Sequence, residues 1–303
     1  MRIAYIILAH RLPEQLVRLV RRLNTPNALF LIHINRRSDD AVYRTTRAGL
    51  AELDNVVFLR RHKLYWGGFG HVRATLEGLD ELYRRSAQFD YVALLTGQDY
   101  PIKPVSTIER TLAESGGRSF MAYDRLPGGL ADGMKRITHW HSRRIGVPRG
   151  WHLSLPVGRR FPQGLAPYGG SSYWWLSREA VDYVRRFLAD EPGFYRFFKH
   201  VDIPDEIVFH TILMNSPLRD RVVNDELRHV DWTREPLPAI FGASDLETLR
   251  RSPKLMARKF DGTLDSEILD LIDSELLVAR DPAQASAQAL GDGSPNEQPG
   301  PPA

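Results

Sequence analysis

The chain has 303 residues, of which 43% are hydrophobic and 26% are charged, the balance of an ordinary globular protein. It contains no cysteine, which excludes disulfides, thiolate metal sites and a cysteine nucleophile. The formal net charge of +4 is mild and suits a small polyanionic ligand as well as it suits nucleic acid.

The N-terminal apolar run is too short to be a membrane anchor or a signal peptide. It leads directly into His10, Arg11 and Pro13, and it lacks a cleavage site of small residues. Elsewhere no stretch of about 18 consecutive apolar residues occurs, so the sequence predicts no integral membrane segment. We therefore expect a cytoplasmic protein that begins with a β-strand.

Strand-like and helix-like patterns alternate in the first 120 residues. Continuous apolar runs predict buried strands over 3–8, 29–34, 56–59 and 91–95. Apolar residues at helical spacing predict one helix from Pro13 to about Asn24 and another that includes Val72 and Leu82. This alternation indicates an α/β protein with a mostly parallel sheet flanked by helices, in which ligands bind at the carboxyl ends of the strands.

The second half of the chain is richer in loop signals, which dominate from about residue 120 to Tyr168. A strand is then predicted over 173–176, with helices over 178–188, 205–214 and 265–278. From residue 281 the composition is typical of a disordered tail. We predict a single domain over 1–280, with a nucleotide-binding half (1–120) and an acceptor and catalytic half (121–280), followed by the tail, 281–303.

Several common nucleotide and catalytic motifs are absent. There is no P-loop, no H-E-x-x-H and no G-x-S-x-G, and Gly67, Gly68 and Gly70 lack the dinucleotide-binding spacing. The Asp-x-Asp motif, by which many nucleotide-sugar enzymes hold a divalent ion on the diphosphate, is also missing. An enzyme of this kind without the motif must neutralise the diphosphate with cationic side chains, so we expect neither a metal nor another cofactor.

A series of short segments, taken together and in order, is distinctive. In chain order they are Ile7-Leu8-Ala9-His10, His33-Ile34-Asn35-Arg36-Arg37-Ser38, Tyr65-Trp66-Gly67-Gly68, Leu94-Leu95-Thr96-Gly97-Gln98-Asp99-Tyr100-Pro101, Tyr168-Gly169-Gly170-Ser171-Ser172-Tyr173-Trp174, Pro204-Asp205-Glu206, 241–245 and Ala257-Arg258-Lys259-Phe260-Asp261. The series resembles the core-2/I-branching β-1,6-N-acetylglucosaminyltransferases, a family that also contains the peptide O-xylosyltransferases. The resemblance runs from about residue 3 to residue 275.

The resemblance implies a GT-A-like, Rossmann-like nucleotide-sugar fold and inverting, metal-independent transfer from a UDP-sugar to a hydroxyl group. N-acetylglucosamine and xylose are the implied sugars. In a bacterial-type member, the acceptor is expected to be a carbohydrate, a glycolipid or another hydroxyl compound of polysaccharide biosynthesis.

The resemblance also assigns roles to individual residues. Glu206 matches the catalytic base, and Arg258 and Lys259 match the basic pair on the donor diphosphate. The other implied donor-binding residues are His10, Asn35, Arg61, Trp66, Gly67 and Asp99. The implied acceptor-binding residues are Ser171, Ser172, Tyr173, Trp174 and Asp205.

Three positions depart from the family pattern. Asn35 stands where the family usually has Asp, and Ser172 stands where xylosyltransferases commonly have Asp. Pro236 occupies the position of an arginine in the core-2 enzymes, which leaves Arg234 as a possible substitute.

The implied chemistry is physically consistent. A sugar hydroxyl has a pKa far above neutrality, so a carboxylate must accept its proton as the hydroxyl attacks. The departing UDP gains negative charge, which preorganised Arg and Lys side chains stabilise.

Other interpretations of the same residues remain open. Glu206 also fits the first turn of a helix that starts near Asp205, where the helix dipole favours an acid. Arg258 and Lys259 also fit a solvated charge pair, and Trp140, Trp151, Trp174 and Trp175 either stack on sugars or fill the core.

The alternative function is a non-catalytic nucleotide- or carbohydrate-binding member of the same fold. Without a basic helix or an RNA-binding signature, a nucleic-acid partner is not expected.

Overall fold

The computed structural model describes residues 1–128, 133–142, 153–155 and 158–278. The predicted tail, 281–303, and Trp151 lie outside these residues. Within the described ranges, no helix combines the length and the apolar character that a membrane span requires.

Strands and helices alternate through the first part of the chain and mix with short turns in the second part. The strands are β1 (Ile3–Ala9), β2 (Ala28–Ile34), β3 (Val56–Phe58), β4 (Tyr91–Thr96), β5 (Asp99–Pro101), β6 (Ser119–Arg125), β7 (Trp140–Ser142), β8 (Leu153–Leu155), β9 (Tyr168–Ser177), β10 (Val222–Val223), β11 (Arg228–Val230) and β12 (Met256–Arg258). The α-helices are α1 (Pro13–Leu23), α2 (Asp40–Gly49), α3 (Gly70–Arg84), α4 (Val105–Glu114), α5 (Gly133–Thr138), α6 (Arg178–Asp190), α7 (Pro192–Phe198), α8 (Val208–Met214), α9 (Leu246–Arg251) and α10 (Glu267–Leu271).

The central sheet has seven strands in the order β10-β6-β9-β4-β1-β2-β3. Its pairs are parallel except those of β9, which runs antiparallel to both β4 and β6. The predicted α/β fold with a mostly parallel sheet flanked by helices is therefore confirmed. Because β6, β9 and β10 join β1 to β4 in one sheet, both predicted halves contribute strands to it. The boundary at residue 120 stays a prediction and falls within β6.

Helices cover both faces of this sheet, and alternate strand residues point to opposite faces. Tyr5 and Trp175 belong to a core cluster that includes residues of α1, α4 and α10. Ile6 and Trp174 belong to the opposite cluster, with residues of α3, α6 and α8. Burial on both faces explains why the strands are continuous apolar runs in the sequence.

A small second sheet, with the order β11-β12-β5, lies beside the end of β4. Strand β12 is antiparallel to β5 and parallel to β11, so Arg258 is paired with Asp99 on one side and Val230 on the other. This pairing brings a C-terminal segment to the carboxyl edge of the central sheet.

The predicted helices agree with the structure in part. Helix α1 begins at Pro13, where the missing N–H costs nothing, and Asn24 caps its end, as predicted. The prediction of one helix over 205–214 is wrong, because a 3₁₀ turn at Pro204–Glu206 is separated from α8 by Ile207, whose φ is −132°. The predicted last helix, 265–278, is instead the short α10 followed by a π-helical turn at Ile272–Leu276.

Candidate active site

The carboxyl edge of the central sheet gathers the first group of candidate residues. His10, Asn35 and Asp99 follow β1, β2 and β4, which are adjacent and parallel. The backbone N–H of Asn35 donates to the carbonyl oxygen of Ala9 at 2.8 Å, which joins the ends of β1 and β2 directly. Residues far apart in the chain thus lie at one edge, as the alternation of strands and helices predicts.

The basic pair lies at the same edge, at the end of β12. The Arg258 guanidinium lies over the ring of Tyr173, 5.1 Å from its centroid, and donates to Oγ1 of Thr96. Lys259 has no ion pair within the described residues, and burial together with the charges of Arg258 and Arg11 lowers its pKa. Burial and like charges disfavour the charged ammonium, so an anionic ligand bound beside it would offset that cost.

His10 lies among these cations. Desolvation and the nearby charges of Arg11, His71, Arg258 and Lys259 lower its pKa. The imidazole is therefore neutral at pH 7 and is available for hydrogen bonding. The arrangement concentrates positive potential beside the ends of β1 and β12.

Glu206 lies on a turn that a neighbouring loop holds in place. The N–H of Glu206 donates to the carbonyl of Ile203 at 3.2 Å, and the N–H of Ile203 donates to the carbonyl of Gly67 at 2.9 Å. Gly67 has φ of 68°, a left-handed conformation that glycine adopts without strain. Glu206 precedes Ile207, the N-cap of α8, so it is not in the first turn of that helix.

The Glu206 carboxylate is partly buried, with 28% of the side chain exposed, and Arg136 Nη1 donates to its Oε2 at 2.6 Å. Burial raises the pKa of Glu206, and the charges of Asp205 and Asp202 raise it further, while the hydrogen bond and charge of Arg136 oppose the shift. One oriented carboxylate with a raised pKa suits a general base.

Strand β9 connects the two sides of this edge. Ser171 and Ser172 lie where the pairing of β9 with β6 shifts register, and they reach different partners. Ser172 Oγ donates to Asp205 Oδ2 at 2.8 Å, beside Glu206, whereas Ser171 Oγ donates to Oε2 of Glu226. The predicted acceptor residues Ser172 and Asp205 thus contact each other, Ser171 contacts Glu226 instead, and the role of all three in binding stays a prediction.

Asn35 holds the loop that carries Trp66, and Arg61 pairs elsewhere. The Asn35 amide donates from Nδ2 to the carbonyl of Leu64 and accepts its N–H at Oδ1, both at 3.0 Å. An aspartate could not make the donating half of this pair, which gives a structural reason for asparagine at this position. Arg61 donates to Asp40 at 2.6 Å, and Trp66 is 72% exposed. Donor contacts by these side chains stay predictions.

Two assigned roles are corrected by burial. Asp99 has no exposed surface; its Oδ2 accepts the N–H of Thr96 at 2.5 Å, and its Oδ1 lies 3.2 Å from Arg228 Nε. It therefore cannot contact a donor directly and instead holds Thr96 and Arg228 in place. Trp174 also has no exposed surface and packs against Phe209, with centroids 5.2 Å apart, so its ring cannot stack on an acceptor sugar.

The possible substitute for the missing family arginine is already paired. Arg234 contacts Asp231 at 2.7 Å and Asp245 at 2.9 Å, and it shares an exposed loop with Pro236. Its charge is therefore compensated locally, unlike that of Lys259.

Three residues of the site were missed from the sequence: Arg136, Glu226 and Arg228. Arg136 lies in a stretch that reads as loop, Glu226 lies just before β11, and Arg228 is the first residue of that short strand. No motif or periodicity distinguishes these side chains from ordinary surface charges. In the described parts of the chain, no three His, Asp or Glu side chains are grouped to hold a metal ion.

Comparison with known proteins shows which family this chain is similar to. The family model described as core-2/I-branching enzyme matches residues 3–250. Xylosyltransferase 2 of Rattus norvegicus is 27% identical over 314 residues, which cover 95% of this chain and 35% of that protein. Xylosyltransferase 1 of Rattus norvegicus is 27% identical over 297 residues, which cover 91% of this chain and 35% of that protein. The chain thus spans about a third of the length of these relatives.

Similarity to solved structures is weaker. A 4-diphosphocytidyl-2C-methyl-D-erythritol synthase from Anaerococcus prevotii matches 66% of this chain and 83% of that chain, with 14% identity and a TM-score of 0.34. Such a score supports no argument about function.

Proposed function

Because the chain belongs to the core-2/I-branching enzyme family, a family of glycosyltransferases, we propose that it transfers a sugar from a UDP-sugar to an acceptor hydroxyl with inversion at the anomeric carbon. Xylose and N-acetylglucosamine are the candidate sugars, and the similarity to xylosyltransferases supports the first. The acceptor is a carbohydrate, a glycolipid or another hydroxyl compound.

One observation carries the proposal: a partly buried carboxylate and an uncompensated cation lie at the same edge of the sheet. Glu206 and Lys259 belong to separate segments, and β9 connects them: Ser172 bonds to Asp205, beside Glu206, and the ring of Tyr173 lies under Arg258, beside Lys259. A displacement reaction needs this combination, because a proton is removed from the acceptor while negative charge accumulates on the leaving group.

In the proposed reaction, the acceptor oxygen attacks the anomeric carbon while the Glu206 carboxylate takes the hydroxyl proton. The bond between that carbon and the β-phosphate oxygen breaks, and its electron pair leaves with UDP. Arg258 and Lys259 stabilise the charge on the diphosphate. The raised pKa of Glu206 makes it a better proton acceptor than an exposed carboxylate.

We also propose that no divalent metal is required. The side chains of Arg258 and Lys259, with neutral His10 beside them, supply the charge and the hydrogen-bond donors that a metal ion supplies in enzymes with an Asp-x-Asp motif.

The direct test measures UDP release from a panel of UDP-sugars with several acceptors, with and without EDTA. Glu206→Gln should lower turnover by about 10²–10⁴-fold, the usual contribution of a general base, while UDP still binds. Glu247→Gln, an exposed carboxylate on α9 paired with Arg250 and Arg251, is the matched control and should retain full activity.

Each contrary result points to a specific error. Full activity of Glu206→Gln would show that another group is the base. Loss of turnover with EDTA would refute metal independence. UDP binding without turnover of any donor would favour the non-catalytic nucleotide-binding alternative.

A further inference from the structure

A second partly buried carboxylate lies on the donor side of the site and has no part in the mechanism above. Glu226 precedes β11, and its side chain is 16% exposed. Its Oε2 accepts a hydrogen bond from the Ser171 hydroxyl and lies 3.5 Å from Arg228 Nη1. Within the described residues, its other oxygen, Oε1, has no hydrogen-bond partner.

The surroundings of Glu226 place it beside the basic pair. Arg228 and Arg258 both lie over the ring of Tyr173, at 4.3 Å and 5.1 Å from its centroid. Ser171, Ser172 and Tyr173 lie where the pairing of β9 with β6 shifts register, so their contacts rather than strand alternation place them. Glu226, Arg228 and Arg258 form one group around Ser171 and Tyr173, whereas Asp205 bonds to Ser172, beside Glu206.

This arrangement separates the two substrates. The acceptor must approach Glu206, and the diphosphate must approach Arg258 and Lys259. In the proposed reaction the transferred sugar joins the two, and β9 connects Asp205, beside Glu206, with Arg258. A carboxylate grouped with Arg258 is therefore placed for contact with the sugar of the donor rather than with the acceptor.

We propose that Glu226 binds a hydroxyl group of the transferred sugar through its open oxygen, with Ser171 fixing the orientation of the carboxylate. This inference rests on the proposed function and extends it, because it assigns a residue that selects the donor. A carboxylate accepts hydrogen bonds from sugar hydroxyls, and a hydrogen bond to a charged group contributes enough free energy to discriminate between donors.

Arg228 and Ser171 oppose the effect of burial on the Glu226 carboxylate. Burial raises the pKa of Glu226 and the charge of Asp99 adds to this, while the charge of Arg228 and the hydrogen bond from Ser171 lower it. Asp99 lies 3.2 Å from Arg228 on its other side, so Arg228 is shared between two carboxylates and Glu226 is not fully neutralised by it.

The test compares binding of UDP with binding of UDP-xylose and UDP-N-acetylglucosamine by isothermal titration calorimetry, in the absence of acceptor. Glu226→Gln keeps the volume of the side chain, and Ser171→Ala removes only the orienting bond. Both variants should bind UDP within twofold of the wild type. Glu226→Gln should bind the preferred UDP-sugar at least tenfold more weakly, and Ser171→Ala should show a smaller loss. Glu247→Gln is the matched control and should change neither.

Three outcomes would overturn the inference. Equal weakening of UDP and UDP-sugar would show that Glu226 acts on the diphosphate through Arg258. Unchanged binding of both would show that Glu226 does not contact the sugar. Failure of the wild type to bind UDP would overturn the proposed function and this inference together, so the two failures are distinguishable. A thermal unfolding midpoint equal to that of the wild type shows that each variant is folded.

Discussion

The carboxylate of Glu206 experiences opposing influences that can be separated experimentally. Burial and two neighbouring aspartates raise its pKa, and Arg136 is the cation that lowers it. A base works only when deprotonated, so activity is present above this pKa and is lost as the pH falls through it. The acidic limb of the rate profile should therefore lie at a higher pH than for an exposed glutamate.

We predict that Arg136→Met moves this acidic limb to still higher pH, because it removes the hydrogen bond and the positive charge that lower the pKa of Glu206. The measurement is kcat/KM as a function of pH. Arg185→Met is the control, because it breaks an ion pair with Asp80 elsewhere and should leave the limb in place. A limb that stays fixed or moves to lower pH in Arg136→Met would contradict Glu206 as the titrating base.

Residue identity alone did not decide which candidates can touch a ligand. Asp99 and Lys259 both belong to segments that resemble the family, yet Asp99 is buried against Arg228 and Lys259 has no ion pair in the described part of the chain. A sequence motif indicates that a residue is needed, but it does not indicate whether the side chain contacts the substrate. Burial decides this, because a fully buried side chain can only support a neighbour that makes the contact.

At the scale of elements, β9 determines how the two sides of the site are spaced. Gly170 is paired with Tyr123, next to a register shift in β6, and an added Cβ would lie 2.0 Å from the carbonyl oxygen of Ala122. Glycine in a strand commonly marks such a bulge or a close backbone approach. Because Ser171 and Ser172 follow directly, the packing of β9 on β6 also fixes their positions.

We predict that Gly170→Ala lowers the free energy of unfolding by about 3 kcal/mol or more and reduces activity, because the backbone must move to relieve the clash. Gly193→Ala is the matched control. Nothing lies within 4 Å of its added Cβ and it lies in α7, so it should be neutral or slightly stabilising. Urea-induced unfolding of both variants checks the difference, and equal stabilities would show that β9 can shift away from β6 at little cost.

Short elements were the least predictable. Strand β12 has only three residues, and its sequence reads as a charged segment between helices. Its pairing with β5 and β11 makes it a strand, and those partners are far away in the sequence. The break at Ile207 is similar, because apolar spacing continues through it while the turn is held by a backbone contact with Gly67.

For the whole molecule, a ligand that binds only the folded state must stabilise it. The proposed UDP site draws on β1, β2, β4 and β12, so it does not exist in the unfolded chain. At a UDP concentration about 100 times its Kd, the free energy of unfolding should rise by about 2.7 kcal/mol.

We predict that this stabilisation persists in EDTA and falls below about 1.4 kcal/mol in Lys259→Met at the same UDP concentration, because loss of a charge-assisted contact weakens binding about tenfold or more. Lys199→Met, at the end of α7, is the control and should keep the full effect. The measurement is urea-induced unfolding with and without UDP. Undiminished stabilisation of Lys259→Met would remove Lys259 from the diphosphate site.

The sequence by itself determined the fold class, the main strands, the start of α1 and the family, because buried strands are apolar runs and because the family segments keep their order along the chain. The family resemblance also predicted the roles of Glu206, Arg258 and Lys259, and these roles stay predictions. The tertiary structure decided that Asp99 and Trp174 are buried, that Asn35 holds a loop, that Arg136 contacts Glu206, and that Glu226 and Arg228 lie beside each other. These facts depend on pairing and burial between segments far apart in the chain, and local sequence patterns carry no information about such contacts.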